Sequence, residues 1–205
     1  MKPLPRPARS TSGRCSMLTR AELGYSMDDY IVLAISDLNA NKNHKALIEA
    51  LPCLPDRVKV CIAGEGPLRQ ELSELAVRLG VFDRVVFLGF RKDIAAILNA
   101  CDLFCLPSKR EGLPVSLIEA LATGSPALTS DARGCSDVLG DLGHRFVVRG
   151  SDSRSLAKQI MSIVSDGYPV DSASLRQRAA AFGLDSAIAA TAKVYERIFC
   201  IREAA

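Results

Sequence analysis

Tryptophan is absent from this 205-residue chain, and aromatic residues of any kind make up only 5% of it. Histidine occurs twice, at His44 and His144. No apolar run approaches the roughly 18–20 residues that a spanning helix needs, and no apolar h-region follows the first positive charges, which argues against a secretory signal. Seven cysteines (Cys15, Cys53, Cys61, Cys101, Cys105, Cys135 and Cys200) form no CxxC pair and no repeated spacing. With so few histidines and no paired thiols, a structural zinc site is not expected. An odd number of cysteines without a framework instead suggests free thiols in a reducing cytoplasm, with Cys61, Cys101 and Cys105 in core-like apolar stretches.

Net charge is also scarce once it is located. The formal +3 hides five bases and no acid within residues 1–20 (Lys2, Arg6, Arg9, Arg14 and Arg20), leaving 21 bases against 23 acids in the other 185 residues. A near-neutral body without aromatic platforms lacks the field and the stacking surface of a nucleic-acid binder. Residues 1–27, rich in Pro, Ser, Thr and Arg, read as a basic flexible leader. The reading favoured is a solvated segment, since five spaced charges attract anionic lipid only weakly; membrane contact is peripheral at most.

What the chain does have is ordinary globular composition, 48% hydrophobic and 24% charged, in a length that buries one sizeable core. Apolar runs alternate with helical patterns. Strands are expected at Ile31–Ser36, Val58–Gly64, Arg84–Phe90, Asp102–Pro107, Pro126–Ser130 and Arg145–Val148. Helices are expected at His44–Leu54, Pro67–Leu79, Asp93–Ala100, Pro114–Ala122 and Ser155–Val164, with one or two more over Ser174–Phe199, broken near Gly183. Strands that are apolar on both faces and separated by helices indicate a parallel sheet covered on each side. The fold class is therefore α/β, a Rossmann-like doubly wound sheet of about six strands, with the domain running over residues 28–205 and ending in helices. Such sheets bind ligands outside the carboxyl ends of their strands.

Three strand-to-helix loops hold the candidate chemistry. SDLNANKNH (Ser36–His44) carries Lys42 just before a helix. GEGP (Gly64–Pro67) has Gly64 and Gly66, which let backbone come close to something. SKREGLP (Ser108–Pro114) runs directly into a helix: Gly112 permits close approach, Pro114 starts the helix, and the free amides near Val115 and Ser116 together with the helix dipole suit a phosphate oxygen. Glu111 precedes that site and Glu119 lies in the helix. Two carboxylates that accept from hydroxyls, flanking an anion site, describe a sugar–phosphate–ribose ligand. The same residues also read as ordinary loop and surface acids.

EGLPVSLIE followed by ALATGSPALTS resembles the EGxxxxxxE and EAxAxGxPV pattern of family 4 (group 1) retaining glycosyltransferases of GT-B architecture. AGEGPLRQEL, LGVFDRVVFLGF and ACDLFCLPSKREG are similar to that family's C-terminal, donor-binding domain in the same order, and the resemblance spans roughly Tyr30 to Ile160. SDLNANKNH and SKREGLP look most like bacterial members that build exopolysaccharide or capsule. The resemblance implies that Glu111 binds hydroxyls of the donor sugar, that backbone at Gly112, Leu113 and Pro114 holds sugar and diphosphate, and that Glu119 accepts the ribose hydroxyls. It implies that Lys42 pairs with the diphosphate and stabilises the leaving group, and that the base lies near Phe90 and Arg91. The donor would be a UDP- or GDP-sugar, with no metal or other cofactor. Where many members have Gly-Arg this chain has Ser36-Asp37, leaving Lys42 as the clear cation, with Lys109 or Arg110 as substitutes. His44 reads as a helix-start residue, and Asp37 and Arg133 as loop-end residues over the same crevice.

The resemblance is to the donor half alone. The expectations are a half-enzyme acting with a separate acceptor-binding chain or as a homo-oligomer, a truncated remnant, or a non-catalytic nucleotide-sugar-binding subunit. A sugar-nucleotide epimerase is a weaker reading. The implied location is the cytoplasm, extending to the inner face of the membrane.

Overall fold

The computed structural model describes residues 20–150 and 152–203. Six parallel strands, β1 (Tyr30–Ile35), β2 (Val58–Ala63), β3 (Val85–Gly89), β4 (Leu103–Leu106), β5 (Ala127–Ser130) and β6 (Val147–Val148), stand in the order β3-β2-β1-β4-β5-β6. Each lies within two residues of the run that predicts it. The order reverses between β1 and β4, and that is the place where an open α/β sheet leaves a crevice at its carboxyl edge.

Period-two alternation divides the core into two layers. On β1, Val32 and Ala34 join a cluster with Leu47, Ile48, Leu72 and Ile160. Those residues belong to α1 (His44–Ala50), α2 (Arg69–Arg78) and α6 (Ser153–Asp166). Ile31 and Leu33 face the other way, onto Ile97, Leu117, Val138 and Leu175 from α3 (Ile94–Ala100), α4 (Val115–Thr123), α5 (Arg133–Leu139) and α7 (Ser172–Ala180). All four residues of β4 are buried, as expected of a central strand covered on both faces. Cys61, Cys101, Cys105 and Cys135 are buried and form no disulfide, the first three in the core as expected; Cys15 lies outside the described residues. The last helix, α8 (Leu184–Glu203), follows α7, and its side chains from Leu184 to Glu196 are exposed.

Two expectations need correction. The folded body begins before residue 28: Arg20 and Asp102, each only 1% exposed, form an ion pair. Arg20 Nε also donates to the Ala100 carbonyl at 2.6 Å, and Tyr25 is buried in the layer of Ile31 and Leu33. The charge that reads as solvated finds a carboxylate 82 residues away, itself fixed by the Ile31 amide at 2.9 Å. The other four bases of the expected leader, Lys2 to Arg14, lie outside the described residues. The second correction is α5, which no predicted helix covers.

Candidate functional site

The loop after β1 and the loop after β4 face each other across the switch point, and hydrogen bonds stitch them together. Asn39 Oδ1 accepts from the amides of Asn41 and Lys42 at 3.0 and 3.2 Å, an Asx-type turn that sets the direction of Lys42. Asn43 takes the left-handed conformation at φ 55°, which Asn tolerates better than most residues, and its side-chain amide donates to the Pro107 carbonyl at 3.2 Å. The Lys109 amide donates to the Asn41 carbonyl at 2.8 Å.

Between the stitched loops, Lys42 Nζ meets Glu111 Oε1 at 2.8 Å. The carboxylate side is 8% exposed and the ammonium side 22%. The two residues expected to act on different parts of a donor therefore hold one another. A charge-assisted bond of this kind, largely withdrawn from water, holds the two side chains in one place.

Gly112 and Leu113 are exposed, and Pro114, buried, precedes α4. No side chain caps that helix, so its first amides stay open to an anion. Glu119 stands exposed on α4 among buried Leu117, Ala120 and Leu121. Under Glu111 sits Gly134, near the start of α5: its amide donates to the Glu111 carbonyl at 3.2 Å. A Cβ there would fall inside contact distance of the Gly112 carbonyl and 2.8 Å from the Glu111 carbonyl oxygen. Gly134 is a site-building residue that sequence reading missed. The available signal was the apolar spacing of Cys135, Val138 and Leu139 ahead of Gly140.

A second cleft adjoins the first loop, lined by Ser36, Asp37, Gly64, Phe90, Arg91 and Ile94. Phe90 is 68% exposed, a free apolar face, and Arg91 is held by both oxygens of Asp93 at 2.8 and 2.5 Å, which stabilises its charged form. Gly64 and Gly66 have an intramolecular reason for being glycine. At φ 149° and 156°, a Cβ on Gly64 would collide with the Ser36 carbonyl, and one on Gly66 would lie 2.6 Å from the Leu38 carbonyl oxygen. What comes close to these glycines is the chain's own first loop.

His44 opens α1 and is 2% exposed. Its Nε2 lies 3.1 Å from the Ser36 hydroxyl, and burial pulls its pKa down to about 4. Lys109 and Arg110 are exposed. Asp37 is exposed on the cleft rim, and Arg133 is 95% exposed with Asp137 at 3.9 Å. Among the described residues, no group of three or more His, Cys, Asp or Glu side chains gathers as a metal site. No helix there is long and apolar enough to cross a membrane.

A parallel 3-2-1-4-5-6 sheet with an uncapped helix start and a Lys–Glu pair at its switch point defines a Rossmann-like α/β protein with a polar crevice at its carboxyl edge. The family described as Glycosyl transferases group 1 matches residues 18–182, and the chain belongs to that family. It is 34% identical over 144 residues to the putative glycosyltransferase EpsD of Bacillus subtilis, covering 69% of this chain and 38% of that protein. It is 31% identical over 177 residues to the lipopolysaccharide core biosynthesis glycosyltransferase LpsE of Rhizobium meliloti, covering 86% and 50%. Among solved structures, HepE from Anabaena in complex with UDP and glucose superposes with a TM-score of 0.71 at 26% identity, covering 84% of this chain and 52% of that one. The chain thus spans about half or less of the length of these relatives, and its fold is the Rossmann-like half expected of a GT-B glycosyltransferase.

Proposed function

We propose that this chain is the donor-binding part of a retaining glycosyltransferase. It binds a UDP- or GDP-sugar at the carboxyl edge between β1 and β4, for transfer of the sugar to a glycan or lipid-linked acceptor in exopolysaccharide, capsule or lipopolysaccharide synthesis. The observation that carries this reading is the Lys42–Glu111 pair at the switch point, beside the uncapped start of α4. Lys42 takes the diphosphate and its growing charge as the bond to the sugar breaks, while Glu111 turns to the sugar hydroxyls. Backbone at Gly112, Leu113 and Pro114 supports sugar and diphosphate, Glu119 accepts from the ribose hydroxyls, and the base lies along Phe90, Arg91 and Gly64. Lys42 and the helix amides supply the positive charge, so donor binding survives EDTA. The likeness to LpsE, a lipopolysaccharide core biosynthesis glycosyltransferase, supports the acceptor class, and the UDP complex of HepE supports the donor. The acceptor belongs to a further domain, a separate chain or a second copy. The setting is the cytoplasm, at the inner face of the membrane where a lipid-linked acceptor is met.

The test is calorimetric titration with UDP, GDP and their glucose and mannose conjugates. A ligand at a hundred times its dissociation constant also adds about 2.7 kcal/mol of stability, visible as a melting shift. Glu119→Ala is expected to weaken nucleotide binding by about tenfold, the cost of losing hydrogen bonds to a charged group. Equal nucleotide affinity in the variant would remove the ribose assignment. Donor that binds but is neither transferred nor hydrolysed would make the chain a nucleotide-sugar-binding subunit.

A further inference from the structure

Asn41 stands beside Lys42 in sequence and beneath Glu111 in space. Its side-chain Nδ2 donates to the Arg110 carbonyl at 2.9 Å, and that carbonyl belongs to the peptide unit whose nitrogen is Glu111's own. Its backbone carbonyl receives the Lys109 amide at 2.8 Å. The next carbonyl along, that of Glu111, is bound by the Gly134 amide, so the Glu111 backbone is pinned on both sides, by Asn41 from the loop after β1 and by Gly134 from α5. Asn41's own amide is fixed by Asn39 Oδ1, and the adjoining amide, that of Lys42, is fixed by the same oxygen. The Asn41 Oδ1 atom is buried with no partner among the described residues. The side chain therefore earns its place through its donor half, and the Arg110 carbonyl sets which way the amide points.

We propose that Asn41 is the positioning residue of the site, setting the Lys42 ammonium and the Glu111 carboxylate in one fixed relation by bonding the two loops that carry them. This rests on the donor-site reading for its purpose, but its geometry is independent of any ligand. A relation held by backbone bonds is the kind of support that keeps charged groups within the fraction of an ångström that transfer chemistry requires. Alternatives of similar size fail for stated reasons. Aspartate has no donor for the Arg110 carbonyl and would compete with Glu111 for Lys42, and serine is too short to span the loops.

The experiment compares wild type with Asn41→Ala, Asn41→Asp, Glu111→Gln and Tyr168→Phe. The last removes a hydrogen bond to the Ala127 carbonyl of 2.9 Å, between residues outside the two loops, and controls for simple loss of stability. Two readouts are taken: the rate at which acetic anhydride labels Lys42, followed by mass spectrometry, and the affinities for UDP and UDP-glucose. Asn41→Ala and Asn41→Asp are expected to shift Lys42 labelling away from wild type, Asn41→Ala toward the faster rate of Glu111→Gln. Asn41→Ala is also expected to weaken UDP-glucose about five- to tenfold, a loss of one net hydrogen bond's worth of order. Tyr168→Phe is expected to lower the melting temperature and change neither readout. Unchanged Lys42 labelling in Asn41→Ala, or an equal change in Tyr168→Phe, would overturn the proposal. Altered labelling in a protein whose wild type binds no nucleotide would keep the positioning role and overturn the donor-site reading instead.

Discussion

Lys42 and Glu111 pair across 2.8 Å, so under the proposed function a donor must replace each partner for the other rather than meet two unpaired side chains. His44, one residue beyond the loop, adds a pH dependence of its own. In the unfolded chain it titrates near 6.5, and in the folded state burial lowers this to about 4. Between these values the unfolded state binds more protons, so the stabilisation is complete above pH 6.5 and is lost as pH falls toward 4. The shift corresponds to about 3 kcal/mol. Urea titrations at pH 7.5, 5.5 and 4.5 are expected to show this decline in wild type and a flatter dependence in His44→Gln. Equal slopes in the two proteins would show that another group controls the acid limb.

At the scale of elements, the site depends on how closely α5 approaches the loop after β4. Gly134→Ala forces a methyl into the Gly112 carbonyl and within 2.8 Å of the Glu111 carbonyl oxygen, neither of which can yield without moving the loop. The expected result is loss of about 1–3 kcal/mol of stability, as for overpacking elsewhere, with weakened donor binding. Gly112→Ala meets nothing within 4 Å and is expected to keep its melting temperature, and calorimetry on the two variants checks the contrast. The strands and most helices were legible because β1, β2 and β4 are apolar on both faces, a pattern that only a covered parallel sheet explains. α5 was not, because its seven residues begin with Arg133 and Gly134 and follow a loop without a break in polarity. Lys42 and Glu111 were visible as residue types in the loops after β1 and β4, and Glu119 as an acid within the helix that follows. That Lys42 and Glu111 face each other was not, since a contact across 69 residues leaves no mark on local pattern. Gly64 and Gly66 announced a close approach without naming what approaches, and Arg20 looked like leader because its carboxylate lies in β4's approach.

For the molecule as a whole, stability resides in the two layers around the sheet. The side chains of α8 from Leu184 to Glu196 are exposed, including Leu184, Ile188, Val194 and Tyr195, so this stretch adds little to the buried core of the domain. A chain ending at Gly183 is therefore expected to melt within about 2 °C of the parent, since a change of 1 kcal/mol would already move a domain of this size by about that much. Scanning calorimetry of both forms gives the answer, and a large drop would show that α8 packs where its exposure says it does not.

The strand order has a consequence in time. β1 pairs with β2, but its other neighbour is β4, with Val32 opposite Leu103, about 70 residues later. At roughly 5–20 residues per second on a ribosome, one flank of the central strand waits about 4–14 s for its partner. Lys42 is made that much earlier than Glu111, so each nascent chain passes through an interval in which the cation of the site exists without its counter-ion.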